Sequence, residues 1–262
     1  MNRSISWINA VAYLAVVIIN VLANYLPLGD NTTGQVSQNY PSLFTPAPIT
    51  FSIWGVIYLM MGVFVIFQMG VSDYKTIGDS LRTDIGGMFI LSCLFNIAWI
   101  FTWHYNKIGL SLICIVGLLL SLLYIISSIH HMTDLPLLGR ISKYGFDIYA
   151  GWISAATIAN LSVFLVKVRW SRFGMTEQFF TMLVIIVGAV IGSSFIIAGE
   201  HYLAAAAIIW AYIGIIIKHM SAAGYNKAYP VIITACIASI VLMMIVMVIK
   251  SIPVRDVSLG KV

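Results

Sequence analysis

The chain of 262 residues is 61% hydrophobic and 9% charged, with a mean hydropathy of +0.99. A soluble domain of ordinary composition carries about 25% charged residues, so the composition excludes that class. The net charge of +5 suits anionic lipid headgroups. The basic residues are too dispersed to indicate nucleic acid as a partner.

Eight apolar segments follow one another along the chain, each about 20 residues long and therefore able to span roughly 30 Å of hydrocarbon. A transmembrane β-barrel would instead show short segments of alternating hydropathy. We therefore predict an all-α fold, a polytopic bundle of transmembrane helices that retains its first segment. The segments lie at about 6–26, 50–70, 84–103, 108–130, 145–166, 178–198, 201–219 and 229–250.

The breaks between the segments carry helix-ending or charged residues. Glu200 and His201 interrupt an apolar run that is too long for one span, which predicts a tight hairpin between the sixth and seventh helices. The stretch at about 167–177 is the best candidate for a boundary. A boundary there divides the chain into residues 1–168, with five predicted helices, and residues 169–262, with three additional ones.

The distribution of basic residues gives a weak preference for an orientation. Residues 27–49, which form the first loop, contain neither lysine nor arginine. Because basic loops favour the cytoplasmic side, this loop is expected outside and both chain ends inside. The other basic residues divide almost evenly between the two sides. We expect a multi-pass protein of the bacterial cell membrane.

The titratable residues show no catalytic or metal-binding pattern. The five histidines fall at predicted helix ends, where interfacial polar residues are common, and the three cysteines fall inside apolar runs. An acid in a membrane helix indicates function by default, but Asp147 lies near the start of its segment, which favours a hydrated interfacial position. We predict no metal site, no required cofactor and no classical enzyme activity.

Aromatic rings and amides share one helical face in the third segment. Offsets of three and four place Asn96, Trp99 and Trp103 together. A buried asparagine in lipid needs hydrogen-bond partners, so this face should look into the bundle. The two indoles could bracket a planar ligand by stacking. Alternatively, Trp103 anchors the headgroup region and Trp99 is ordinary packing.

The fifth segment repeats the arrangement with a stripe of Tyr149, Trp152, Ala156 and Asn160. A ligand pocket explains this stripe, and so does helix packing around a polar anchor. Gly188-x-x-x-Gly192 in the sixth segment permits close helix contact, either within the bundle or at a dimer interface.

Together these motifs resemble the TspO/MBR family, the tryptophan-rich sensory proteins related to the translocator protein or peripheral benzodiazepine receptor. The resemblance covers about residues 5–168 and implies a five-helix bundle, often dimeric, with a pocket for porphyrin, haem or other planar hydrophobes under the first loop. It rests on Pro46 followed by Trp54-x-x-x-Tyr58-x-x-x-Gly62, on Asn96-x-x-Trp99, and on Tyr149-x-x-Trp152 with Asn160.

By this resemblance the chain is expected to be an integral membrane binding or sensory protein. Its expected partners are membrane lipids, a small planar hydrophobic ligand such as porphyrin or haem, and a second copy in a homodimer. The resemblance implies six pocket residues, Trp54, Asn96, Trp99, Trp152, Ala156 and Asn160. Together with Pro46, Tyr58, Trp103 and Tyr149 they make up the ten predicted ligand-binding residues.

Two other functions stay open at this point. A small-molecule transporter or permease would use Asp147 with Asn96 and Asn160 as a polar path through the bundle. A porphyrin-degrading enzyme would depend on tryptophan redox chemistry alone, and it ranks last.

Overall fold

The computed structural model describes residues 4–26, 28, 31–40, 42–70, 85–132 and 134–252. Eight helices in this part of the chain are long and apolar enough to cross a membrane, which confirms the predicted polytopic all-α bundle. The helices, with the short loop helix α2, are α1 (Ser4–Tyr25), α2 (Thr33–Gln38), α3 (Ile53–Gly70), α4 (Gly86–His104), α5 (Ile108–His130), α6 (Leu137–Lys167), α7 (Glu177–Gly199), α8 (Tyr202–Met220) and α9 (Pro230–Ser251).

Successive membrane helices run antiparallel, so the bundle has two ends. We call the end at which α1, α4, α6 and α8 finish the upper end, and the end at which they begin the lower end. Helix α6 is central, because it packs against α3, α5, α7 and α8. The first loop, with α2, lies at the upper end.

Helix α6 begins earlier than the sequence pattern indicates. The pattern predicts a start near residue 145, whereas the helix starts at Leu137, directly after Pro136 at its N-cap position. A helix of 31 residues is about 46 Å long, which exceeds the roughly 30 Å of hydrocarbon. Arg140 and Lys143, predicted in a loop, therefore lie on helical turns that extend the span beyond its apolar part.

The first loop contains a helix that hydropathy does not reveal. Thr32 caps α2 by accepting a hydrogen bond from the Gln35 amide, and the Gln35 side chain accepts one from the Thr32 amide. This reciprocal pair is a capping box. The capping box stabilises a short polar helix in a segment that hydropathy alone predicts to be a loop.

The last three helices share one packed structure with the first five. Gly151 of α6 lies so close to α8 that a Cβ at this position would sit 2.0 Å from the Ala204 carbonyl oxygen. Gly188 lies against Tyr212 and Gly192 against Met243, so the Gly-x-x-x-Gly motif packs within the bundle. The division into 1–168 and 169–262 and the homodimer both stay predictions.

Some residues that entered the sequence predictions lie outside the described part of the chain. They are the charged break at 71–84 and the basic residues at both chain ends.

The close contact at Gly151 gives a direct test of the α6–α8 packing. We expect Gly151→Ala to destabilise the protein by about 1–3 kcal/mol, since an inserted methyl group has to displace backbone. Thermal unfolding in detergent measures this loss. Gly87→Ala is the control because a Cβ there would meet nothing within 4 Å. Equal unfolding temperatures for the two variants would contradict the packing.

Candidate ligand-binding site

Trp54 is the centre of an aromatic cluster at the upper end. A 3-10 turn at Pro48–Ser52 leads into α3, and this places Trp54 in the first turn of the helix. Its ring stacks on Tyr58 at a centroid distance of 5.4 Å and on Trp99 at 6.2 Å. Trp152 meets it edge-on at 6.3 Å. These separations are typical of favourable aromatic pairs.

The stack continues along α4, as the spacing predicts. Trp99 and Trp103 are parallel within 22°, with centroids 5.9 Å apart, and both are buried. The Trp103 indole donates to the Thr33 carbonyl of α2 at 3.1 Å. Trp103 is therefore an interior residue that joins α4 to the first loop, and the alternative of a headgroup anchor is wrong.

A cavity of about 50 Å³ lies inside this cluster. Its lining includes seven of the ten residues predicted from the sequence, drawn from the first loop and from α3, α4 and α6. The seven are Pro46, Trp54, Trp99, Trp103, Trp152, Ala156 and Asn160. Their role in ligand binding stays a prediction, but the structure brings them to one place.

A wider groove of about 430 Å³ lies beside the cavity, between α1, α3 and the first loop. Tyr58 lines this groove, and Trp54, Trp99, Phe51 and Thr33 line both spaces. The Trp54 ring is thus a shared wall between the small cavity and the larger groove.

Asn96 and Tyr149 line neither space, although both were predicted to. Asn96 accepts a hydrogen bond from the Asn20 amide at 2.9 Å and donates to the Tyr149 hydroxyl at 2.8 Å. All three side chains are buried. They join α1, α4 and α6 beneath the aromatic cluster, so they support its floor. The amide of Asn160 is also engaged, through mutual hydrogen bonds with Ser111 at 3.2 and 3.3 Å.

Two indole nitrogens in residues that line the cavity are buried without a hydrogen-bond partner. They belong to Trp99 and Trp152. Buried polar groups in proteins are nearly always paired, and an orphaned donor costs about 1–3 kcal/mol. A ligand with hydrogen-bond acceptors would pair with these nitrogens if a shift of the surrounding rings exposed them.

Helix α8 holds the segment that covers the cavity. We define residues 42–52 as the cover segment. The indole of Trp210 donates to the Thr50 carbonyl at 2.9 Å, and the Ala47 amide donates to the Gly214 carbonyl at 2.9 Å. His219 Nε2 donates to the Leu43 carbonyl at 2.9 Å. Helix α8 thus holds the cover of a cavity that is lined mainly by the first loop and by α3, α4 and α6.

The sequence analysis missed several lining residues. They are small, aliphatic, polar or phenylalanine side chains without a distinctive spacing, and two come from α8, outside the stretch that carried the resemblance. The missed residues are Thr33, Ser37, Phe44, Phe51, Ala155, Ala159, Ala211 and Ile215.

The histidines and Asp147 are less hydrated than predicted. His104 and His219 are fully buried, and each makes a hydrogen bond to a backbone carbonyl. Asp147 is 3% exposed and lies 2.8 Å from His201 Nδ1. The prediction of a hydrated interfacial Asp147 is wrong. Its hydrogen-bond partner is His201, which lies 54 residues later, in the turn between α7 and α8.

Comparison with known families agrees with these motifs. The model of the family described as TSPO-like protein matches residues 6–249. The chain belongs to the TSPO-like family. The family match of this TSPO-like protein reaches α9. It therefore extends beyond residues 5–168, on which the resemblance was based. No curated protein and no solved structure shows significant similarity to the chain.

Hydrogen exchange can test whether α8 holds the cover of this TSPO-like protein. Trp210→Phe removes the bond to the Thr50 carbonyl but keeps an aromatic ring. A hydrogen bond contributes about 0.5–1.5 kcal/mol, so we expect amides in the cover segment to exchange roughly two- to tenfold faster. Tyr124→Phe, on an exposed position of α5, is the control. Unchanged exchange in Trp210→Phe would show that α8 does not restrain the cover.

Proposed function

We propose that this TSPO-like protein binds a planar hydrophobic small molecule against Trp54 at the upper end of the bundle. The observation that carries this proposal is the Trp54-centred stack of Tyr58, Trp99 and Trp103, with Trp152 edge-on. An extended set of near-parallel rings provides flat apolar faces that favour stacking over other contacts. A porphyrin or haem is the ligand class that the family resemblance favours.

The two volumes indicate where such a ligand fits. Sites for small molecules usually measure about 300–1,000 Å³, so the cavity of about 50 Å³ is too small for a porphyrin. The groove of about 430 Å³ is in that range. The ligand is therefore proposed to lie in the groove between α1 and α3, with one face on Trp54. A rotation of Trp54 would add the cavity to this space.

The orphaned donors narrow the chemistry of the ligand. Trp152 lines the cavity and Trp99 lines both the cavity and the groove, and each carries a buried indole nitrogen without a partner. A ligand that places a carbonyl or carboxylate oxygen near one of them would remove a desolvation cost of about 1–3 kcal/mol. An aromatic hydrophobe with acceptor groups is thus favoured over a plain hydrocarbon.

The proposed role is binding or sensing in the bacterial cell membrane rather than catalysis. The side chains at the site supply stacking surface and hydrogen-bond donors. They include no nucleophile paired with a base among the described residues, and nucleophilic catalysis depends on such a pair. The proposed partners are the membrane lipids and the ligand itself, in a monomer or a homodimer.

A titration with protoporphyrin IX tests the proposal. We expect saturable quenching of its fluorescence by the purified protein in detergent, and at least about tenfold weaker binding for Trp54→Ala, equivalent to about 1.4 kcal/mol. Trp7→Ala is the matched control, because Trp7 is 61% exposed on α1, away from the site. Binding that does not saturate, or that Trp54→Ala leaves unchanged, would refute the proposal.

Transport is the second candidate, and the buried Asp147–His201 pair is the observation that favours it. A buried acid in a membrane bundle is a common element of proton-coupled pathways. Under this alternative, Asp147→Asn should abolish ligand uptake into proteoliposomes that carry a proton gradient, while equilibrium binding is kept. Absence of gradient-dependent uptake by the unmodified protein would eliminate transport.

A further inference from the structure

A second polar cluster lies at the lower end of the bundle, where the α7–α8 turn meets α6. His201 occupies the N-cap position of α8, and its Nδ1 atom lies 2.8 Å from Asp147 Oδ1. Both residues are buried, at 7% and 3% exposure. The aromatic site is at the opposite end, so the binding function proposed above does not use this pair.

The hydrogen bond to Asp147 determines which nitrogen of His201 is available. A carboxylate oxygen accepts hydrogen bonds, so Nδ1 carries the hydrogen and the neutral ring keeps a lone pair on Nε2. Histidines that bind metals have this arrangement, in which a carboxylate holds one ring nitrogen and the other faces the ion. His201 is therefore oriented as a metal ligand would be.

Space is available next to this Nε2 atom. His201 lines a groove of about 450 Å³ between α5 and α7. Gly199, in the last turn of α7, packs against one edge of the ring, where a Cβ would sit 2.4 Å from Nε2 and 2.5 Å from Cδ2. A larger residue at position 199 would therefore displace the imidazole from its place in the groove.

His130 supplies a second imidazole to the same groove. Its ring centroid lies 5.2 Å from that of His201. Two imidazoles on one tetrahedral ion, with metal–nitrogen bonds of about 2.0–2.1 Å, have centroids roughly 5 Å apart. In addition, His130 Nδ1 is buried and has no hydrogen-bond partner. The separation of the rings thus suits a shared ion.

We propose that this groove binds one divalent transition-metal ion through His201 and His130, with Asp147 as the residue that orients His201. Imidazole ligands favour Zn²⁺, Cu²⁺ or Ni²⁺ over Mg²⁺ and Ca²⁺. Among the described residues no group of three or more His, Cys, Asp or Glu side chains is placed to hold an ion. Water or an exogenous ligand therefore completes the coordination, and the ion is exchangeable.

The test uses the purified full-length protein in detergent, freed of metal with a chelator. Calorimetric titration with Zn²⁺ should show one saturable site per chain, and Cu²⁺ should give an EPR spectrum with nitrogen hyperfine lines. Zinc affinity should fall at least tenfold in His130→Ala and in His201→Ala. Asp147→Asn should lower it by about 10–100-fold, the usual effect of losing an orienting carboxylate.

His131→Ala is the matched control. His131 is exposed and also lines the groove, but it is not placed with His130 and His201 to hold one ion, so its loss should leave zinc affinity within twofold. His130→Ala leaves the Asp147–His201 pair intact, so it decides the question even where variants of the buried pair fail to fold. Zinc binding weaker than roughly 1 mM, or binding that His130→Ala leaves unchanged, would overturn the proposal.

Discussion

The structure depends on one constraint, which is that hydrocarbon offers no water to buried polar groups. Each amide or carboxylate inside the bundle must therefore find its partner on another helix. Asn96 does so with Asn20 and Tyr149, and this joins α1, α4 and α6 at one level of the bundle. Asp147 does so with His201 and joins α6 to α8. These directional contacts specify which helices are neighbours, and close packing at positions such as Gly151 then brings the backbones together.

Because the polar contacts fix the helices, the aromatic cluster rests on a rigid floor. Trp54 lies above the Asn96–Tyr149 contact, with the Tyr149 ring 5.8 Å away and nearly perpendicular to it. The rings pack against one another and leave a cavity of only about 50 Å³ among them, while the groove next to Trp54 measures about 430 Å³. The aromatic side chains that match the family's pocket thus contact mainly one another in this chain. The groove beside them is bounded on its other side by α1.

The sequence was sufficient to predict the membrane class, the helix order and most of the aromatic site. Periodicity places Trp99 and Trp103 on one face, and hydropathy gives the spans to within a few residues, except at the start of α6. Contacts between distant segments could not be predicted in this way. The Asp147–His201 pair spans 54 residues, and no local pattern marks two such side chains as partners. Ala211 and Ile215 are ordinary membrane-helix residues, so nothing in their identity revealed that they line a cavity.

The hydrogen bonds between α8 and the cover segment have a consequence for how the protein responds to its surroundings. Leu43 and Thr50 offer their carbonyls to His219 and Trp210, which lie more than 150 residues later in the chain. Helix α8 runs from this cover to its N-cap residue, His201, at the lower end of the bundle. One helix therefore supplies both the hydrogen bonds that hold the cover of the aromatic site and the partner of Asp147.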